Sequence, residues 1–258
     1  MLALNNMGEP RIVLWDLETL PNLKEVMKVL PGLSAYPGLT LKASINSVIC
    51  MGWKVFGEKE VHCINAWDFK SRWAKDVNDD FEVVKQAAKI IQDADAVVTH
   101  NGKSFDWKVL QTRLLFHGLK PLPKILHVDT RAESRKHLFM FNNRLNTLAK
   151  FFAQDEKLDT GWDLWVKVAN RDRKSMNKMT AYCKQDVMVL ENIFKVMRPL
   201  LSELPNYNLF NLGERPVCIR CGSTRLNSRG RQLTKTMTQQ RFQCQNCGSW
   251  MNSKLRAA

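Results

Sequence analysis

The stretch RIVLWDLETLPN, residues 11–22, governs the reading of everything after it. Ile12, Val13, Leu14 and Trp15 form an unbroken apolar run, the pattern of a strand buried on both faces, and Asp16 and Glu18 stand at its end. Residues two apart on a strand point to one side, so both carboxylates are directed into a single small volume. Like charges in a low-dielectric site raise each other's pKa strongly. A cation from elsewhere in the chain, or a bound metal ion, has to compensate them.

Outward from this strand, residues 20–40 (LPNLKEVMKVLPGLSAYPGLT) read as a long polar connection with one short helix. SVICMGWKVF and KEVHCINAW, separated by Gly57-Glu58, suggest an antiparallel hairpin. DDFEVVKQAAKIIQDA places Phe81, Val84, Ala88 and Ile91 at helical period behind an Asp-rich start. DAVVTH is a short buried strand, running through Asn101-Gly102 into the helix SFDWKVLQTRLLFHG, and KILHVDT is another strand. NRLNTLAKFFA, WDLWVKVA and SMNKMTAYCKQDVMVLENIFKVMRPLL are helical. A hairpin followed by alternating strand and helix implies an α/β fold, a mixed sheet flanked by helices.

The 258 residues, 45% hydrophobic and 25% charged, suit a soluble globular chain of one sizeable domain and a small appendage. No apolar run approaches the roughly 20 residues that cross a bilayer, and MLALNNMGEP lacks a secretory pattern, so no membrane partner and a cytoplasmic location are expected. The net charge is +14, and it is uneven: residues 215–258 hold nine Lys or Arg and no acid, which leaves +5 for the first 214. Such a tail points toward nucleic acid. Cys50, Cys63 and Cys183 are scattered and read as buried thiols, whereas Cys218, Cys221, Cys244 and Cys247 form two C-x-x-C pairs that meet the tetrahedral demand of one structural Zn²⁺.

Two further acids fit the pattern set by Asp16 and Glu18. Asp106 lies near the start of the helix after VVTHNGKSFD, and Asp186 lies four residues beyond Tyr182, which puts phenol and carboxylate on one helical face. Taken singly, Asp106 could be a first-turn acid favoured by the helix dipole and Asp186 a solvated face residue. His100 and His127 read as hydrogen-bonded strand-end residues, Trp107, Trp162 and Trp165 mainly as core. Asp129, Glu133, Asp155 and Asp163 are spare acids, with Asp129 ending a strand beside the presumed site.

In order, Asp16-Leu17-Glu18, Asn101 with Phe105-Asp106, and Tyr182 with Asp186 resemble the three motifs of the DEDD superfamily of 3′-to-5′ exonucleases, an RNase H-like fold, in its tyrosine-bearing branch. WDLETLPN, VVTHNGKSFD, HVDTR, WDLW, YCKQDV, CIRCGS and RFQCQNCGSW are similar to phage and bacterial predicted exonucleases that carry a C-terminal four-cysteine zinc ribbon. The resemblance implies two Mg²⁺ or Mn²⁺ ions bridged by Asp16, with Glu18 and Asp186 at the water-activating ion and Asp106 holding the second through water. Tyr182 then orients the nucleophilic water, since a phenol of pKa near 10 is a poor base at neutral pH. Thr19 and Asn101 become candidate contacts to the terminal nucleotide, and the expected partner is a single-stranded 3′ end, DNA before RNA. The implied divisions are 1–203 for the nuclease domain, 204–216 for a linker and 217–258 for the ribbon.

C-x-x-C, twenty-two residues, and C-x-x-C again, each followed by Gly-Ser, is a specific zinc signal. Arg220, Arg225, Arg229, Arg231 and Arg241 would line its hairpin arms and contact nucleic acid, the other reading being a clamp on the nuclease domain or a dimer contact. Two other functions stay open at this level: a nucleic-acid-binding protein with weak or no catalysis on the same fold, and a structure-selective endonuclease.

Overall fold

The computed structural model describes residues 9–20, 46–152, 161, 163–211 and 216–254. The connection expected over most of residues 20–40, together with Asp155 and Trp162, lies outside the described residues. The first strand, β1 (Ile12–Leu20), runs longer than its apolar core, and Ile12, Val13, Leu14 and Trp15 are fully buried. β2 (Ser47–Val55) and β3 (His62–Asn65) form the antiparallel hairpin, turned at Gly57 with φ +96. A 3-10 turn over Ala66–Phe69 and the short α1 (Lys70–Trp73) lead to α2 (Phe81–Gln92), β4 (Ala96–Thr99), α3 (Asp106–Phe116) and β5 (Leu126–Asp129). Four helices follow: α4 (Thr130–His137), α5 (Leu145–Phe151), α6 (Asp163–Ala169) and the long α7 (Arg173–Met197).

The sheet order is β3-β2-β1-β4-β5, with β1, β4 and β5 parallel and β2 and β3 antiparallel, which is the mixed sheet flanked by helices that the sequence implied. Alternation along β1 sorts the core. Val13, Trp15 and Leu17 pack with Val84, Ile91, Leu110 and Leu114 of α2 and α3, while Ile12 and Leu14 pack with Val187, Leu190, Ile193 and Phe194 of α7. The α2 stripe is rotated from expectation: Val83, Val84, Ala87 and Ile91 are buried. Phe81 instead meets the His117 ring edge-on at 5.4 Å and lies under the Arg72 guanidinium at 4.9 Å.

Two buried ion pairs set the helices against the sheet. Asp80 accepts from Val48 N at 2.7 Å, from Arg113 Nε and Nη2 at 2.8 and 2.6 Å, and from His117 at 2.6 Å, so β2, the start of α2 and the end of α3 share one carboxylate. Lys54 Nζ donates to Glu191 Oε2 at 2.6 Å, which fixes α7 along β2. Breaking one partner of such a pair strands a buried charge, so these pairs specify how α3 and α7 are registered.

C-terminal to α7, β6 (Leu226–Leu233), β7 (Thr238–Cys244) and β8 (Trp250–Lys254) make a separate three-stranded antiparallel sheet. The segment read as a linker without period is packed down where it is described. Tyr207 is buried, its N–H donates to Ile219 O at 3.1 Å, and its OH accepts from Arg198 Nη2 at 2.6 Å. Arg198 also donates to Arg220 O at 2.8 Å and stacks between Phe56 and Tyr207, which pins the first cysteine knuckle to the end of α7. Among the described residues no helix is long and apolar enough to cross a membrane.

Candidate functional site

β4 pairs with β1 only over Ile12, Val13 and Leu14, whereas β2 accompanies β1 as far as Leu20, with an irregularity between Glu18 and Thr19. Asp16 and Glu18 therefore lie within β1 rather than at its end, at the point where the parallel part of the sheet stops. Past that point the Leu17 N–H donates to Asp106 Oδ1 at 3.2 Å. The carboxylate takes the place of a strand carbonyl, because a buried amide must find an acceptor. This bond also holds the first residue of α3 beside Asp16 and Glu18.

α7 reaches the same site from the other direction. Gly52 faces Asp16 across the β1–β2 ladder, and a Cβ there would meet the Cys183 carbonyl oxygen at 2.8 Å. A glycine lets the helix come this close. As a result, carboxylate oxygens of Asp16, Glu18 and Asp186 lie within 4.8 Å of one another. Asp186 is buried, and Tyr182, one turn earlier, is buried with its ring edge-on to Trp165 at 6.1 Å. All donors in this cluster are hard carboxylate oxygens, the set that Mg²⁺ or Mn²⁺ takes alongside water and phosphate oxygens, so these residues fit such ions.

Asp106 lies outside that three-way cluster but adjoins it through Leu17. Burial pushes its pKa up to about 7, against the pull of amide hydrogen bonds from Asp106 and Leu17, with the nearby Asp129 charge adding to the rise. Asp129 itself is committed to the backbone. Its carboxylate accepts from Asn101 N and Lys103 N at 2.9 and 3.1 Å and from Arg131 N and Ala132 N at 3.0 and 3.2 Å, capping α4 and holding the loop after β4. Glu133 accepts from Ser202 N at 3.1 Å, and Asp163 is exposed.

Asn101 sits in that loop at φ 74, a left-handed conformation that Asn tolerates, and its Oδ1 accepts from Arg131 Nη1 at 2.8 Å. Thr19 is half-buried just beyond the β1 irregularity. His100 is held between Thr130 Oγ1 at 2.9 Å and the Asn143 carbonyl at 3.0 Å. His127 bonds Thr99 Oγ1 at 2.8 Å, and burial lowers its pKa to about 4, so it is neutral near pH 7.

At the other end of the chain, Cys218, Cys221, Cys244 and Cys247 bring their sulfurs within 4.8 Å, with Cys218–Cys247 at 3.7 Å and Cys221–Cys244 at 3.6 Å. A tetrahedral zinc with Zn–S of about 2.3 Å separates its sulfurs by about 3.8 Å, so this donor set fits the ion closely. The two knuckles repeat one turn, Gly222 at φ +73 and Gly248 at φ +78, each N–H returning to the carbonyl of the first cysteine. The arginines divide. Arg229 and Arg231 lie exposed on β6 and Arg241 lies half-buried on β7, its guanidinium 4.7 Å above the Trp250 ring, while Arg225 just precedes β6. Arg220 is in the first knuckle instead of on an arm, and its Nη1 donates to Ser202 O at 3.2 Å.

Three features were missed in the sequence. Phe139 and Phe141 are fully exposed between α4 and α5, among Arg135, Lys136 and Arg144. Their apolar run HLFMF is the signal that an exposed aromatic pair was present. A cleft of about 390 Å³ is lined by Lys103, Trp107, Lys124 and His127 among others. The third feature is that Cys50, Cys63 and Cys183 converge.

Residues 39–198 match the family model described as the RNase_H superfamily. The chain belongs to the RNase H superfamily. No curated protein matches the chain. Among solved structures, this RNase H superfamily member is similar to the family B DNA polymerase from the hyperthermophilic archaeon Pyrobaculum calidifontis, at 15% identity and a TM-score of 0.53. The match covers 88% of this chain and 31% of the polymerase, so the chain spans less than a third of that protein, and what they share is a fold. In the RNase H superfamily frame seen here, the central strand and the long final helix deliver three acids to one place, and the first residue of α3 adds a fourth alongside.

Proposed function

We propose that the protein is a metal-dependent 3′-to-5′ exonuclease that hydrolyses phosphodiester bonds at single-stranded nucleic-acid ends. The observation that carries this reading is the meeting of Asp16, Glu18 and Asp186 within 4.8 Å, with Asp106 tied beside them at Leu17. The order of the three motifs supports the polarity, and the fold shared with a DNA polymerase favours DNA over RNA. When bound, two divalent ions supply an activated water and stabilise the leaving oxygen of an in-line displacement. Asp16, Glu18 and Asp186 hold them, Asp106 supports the second site, and Tyr182 orients the attacking water by hydrogen bonding. Phe139 and Phe141 offer stacking faces to unpaired bases at about 1 to 3 kcal/mol each, with Arg135, Lys136 and Arg144 positioned for phosphates. The four ribbon thiolates hold a structural zinc with no open coordination position, and Arg229, Arg231 and Arg241 extend the basic surface.

Product mapping on 5′-labelled linear and on circular single-stranded DNA and RNA, with Mg²⁺ or Mn²⁺, tests this function. The expected products are mononucleotides and a 5′-labelled ladder shortening from the 3′ end, with circles untouched. Cut circles would establish an endonuclease in its place.

Tyr182→Phe is expected to slow single-turnover hydrolysis by about 10- to 100-fold, less than loss of a metal ligand, because another water can partly replace the hydroxyl. A loss equal to that of Asp186→Ala would give Tyr182 a different role. Asp106 imposes a pH dependence with a defined sign. Its pKa is raised from 3.8 to about 7, so below about pH 7 it carries a proton that must leave for the carboxylate to serve an ion. Mn²⁺ affinity therefore weakens as pH falls through 7. Calorimetry at pH 6.5 in two buffers of different ionisation enthalpy should show proton release on binding, and Asp106→Asn should abolish it. Buffer-independent heats in the wild type would contradict this role.

A further inference from the structure

The proposed hydrolysis uses none of Cys50, Cys63 and Cys183, yet these residues of β2, β3 and α7 bring their sulfurs within 4.8 Å of one another. Cys50 and Cys183 are fully buried and Cys63 is partly exposed, so the cluster has a dry interior and one wet edge. Cys183 Sγ accepts the Gly52 N–H at 3.0 Å. That bond depends on glycine, because a Cβ on residue 52 would lie 3.0 Å from the same sulfur. Sulfurs around a thiolate-bound ion are separated by about 3.8 Å, so closure from the present spacing needs at most about 1 Å of movement.

We propose that Cys50, Cys63 and Cys183 form a second thiolate metal centre, which takes a thiophilic d10 cation, Zn²⁺ or Cu⁺, with its remaining position open at the Cys63 edge. Three thiolates are soft donors that select such ions over Mg²⁺ or Mn²⁺. The centre lies next to the carboxylates: Cys50 faces Glu18 across the ladder, and the Cys183 thiol donates to Asp16 O at 3.7 Å, a proton released to solvent with those of Cys50 and Cys63 when the ion binds. Cys183 is also three residues before Asp186 on α7. An ion there ties α7 to β2 and β3 where the helix presents Asp186 to Asp16, and so braces the carboxylate cluster without joining it.

The test counts ions on the full chain. Protein stripped of metal under reducing, anaerobic conditions is titrated separately with Zn²⁺, with Cu⁺ and with Cd²⁺, the last reporting thiolate ligation by its charge-transfer band. Two thiophilic ions per chain are expected. Cys63→Ser should retain only the ribbon's ion, Cys244→Ser only the second, and the double variant none. Cys63 stands at the partly exposed edge, so circular dichroism of Cys63→Ser should match the wild type; Cys50→Ala provides a second loss of ligand if it does not. The titration that saturates at stoichiometric concentration identifies Zn²⁺ or Cu⁺ as the occupant. One ion in the wild type, or two in both Cys63→Ser and Cys50→Ala, would overturn the proposal, as would a disulfide between two of the three in the reduced protein. Because the readout is ion count and absorbance, failure here leaves the exonuclease reading intact, and the reverse also holds.

Discussion

Asp16→Ala and Asp186→Ala are each expected to reduce hydrolysis of a single-stranded 3′ end by about a thousandfold or more, equivalent to about 4 kcal/mol of lost transition-state stabilisation. Their carboxylates share one cluster with Glu18, and they come from elements that no local sequence contact joins, a strand and a helix registered by Gly52 and by the Lys54–Glu191 pair. Removing either side chain deletes a carboxylate of the cluster without touching that registration. Binding of a 3′-tailed strand should therefore persist in Ca²⁺ within a few-fold of the wild type, measured by fluorescence anisotropy, while single-turnover cleavage in Mg²⁺ disappears. Unchanged cleavage by both variants would mean that the chemistry resides elsewhere.

The second large effect concerns the three-stranded sheet. Among the described residues from 217 onward only Val217, Cys218, Cys244, Ser249 and Met251 are buried. Val217 and Met251 together contribute about 3 to 6 kcal/mol, whereas a structural zinc contributes on the order of 10 kcal/mol. Cys244→Ser, or prolonged chelation, is therefore expected to unfold β6, β7 and β8 and leave the five-stranded sheet folded. Hydrogen exchange should show loss of protection over residues 226–254 and unchanged protection over β1, β2 and β4. Protection retained throughout without metal would show that the ribbon is held by packing alone. Val217 packs into the core and the Arg198–Tyr207 anchor holds the first knuckle against α7, so protection is expected to be lost there last.

The fold was largely legible because β1 announces itself. A run of four apolar residues ahead of two acids separates buried strand from site, and alternation alone places Asp16 and Glu18 on one side. The Tyr182–Asp186 spacing gives one helical face in the same way. Facts that depend on long-range register were not legible. The convergence of Cys50, Cys63 and Cys183 follows from how β2 pairs with β3 and where α7 crosses Gly52, and no local pattern encodes that crossing. Asp129 carried a readable signal that pointed the other way: an acid just before TRAESRKH is an N-cap, and the structure uses it so, in addition to gathering the loop at Asn101. Tyr207 was hidden because a single buried ring in a turn has no periodicity. The rotation of the α2 stripe arose because Phe81, at the helix start, found His117 and Arg72 as neighbours instead of the core.

Mn²⁺ binding to the zinc-loaded protein, followed by electron paramagnetic resonance, tests the convergence of the acids on shared cations most directly. Two Mn²⁺ per chain in the presence of a nucleoside monophosphate, with the exchange-coupled spectrum of a close pair that vanishes in Asp16→Ala, is the predicted result. Isolated, uncoupled Mn²⁺ signals, or a coupled pair that survives in both Asp16→Ala and Asp186→Ala, would contradict it.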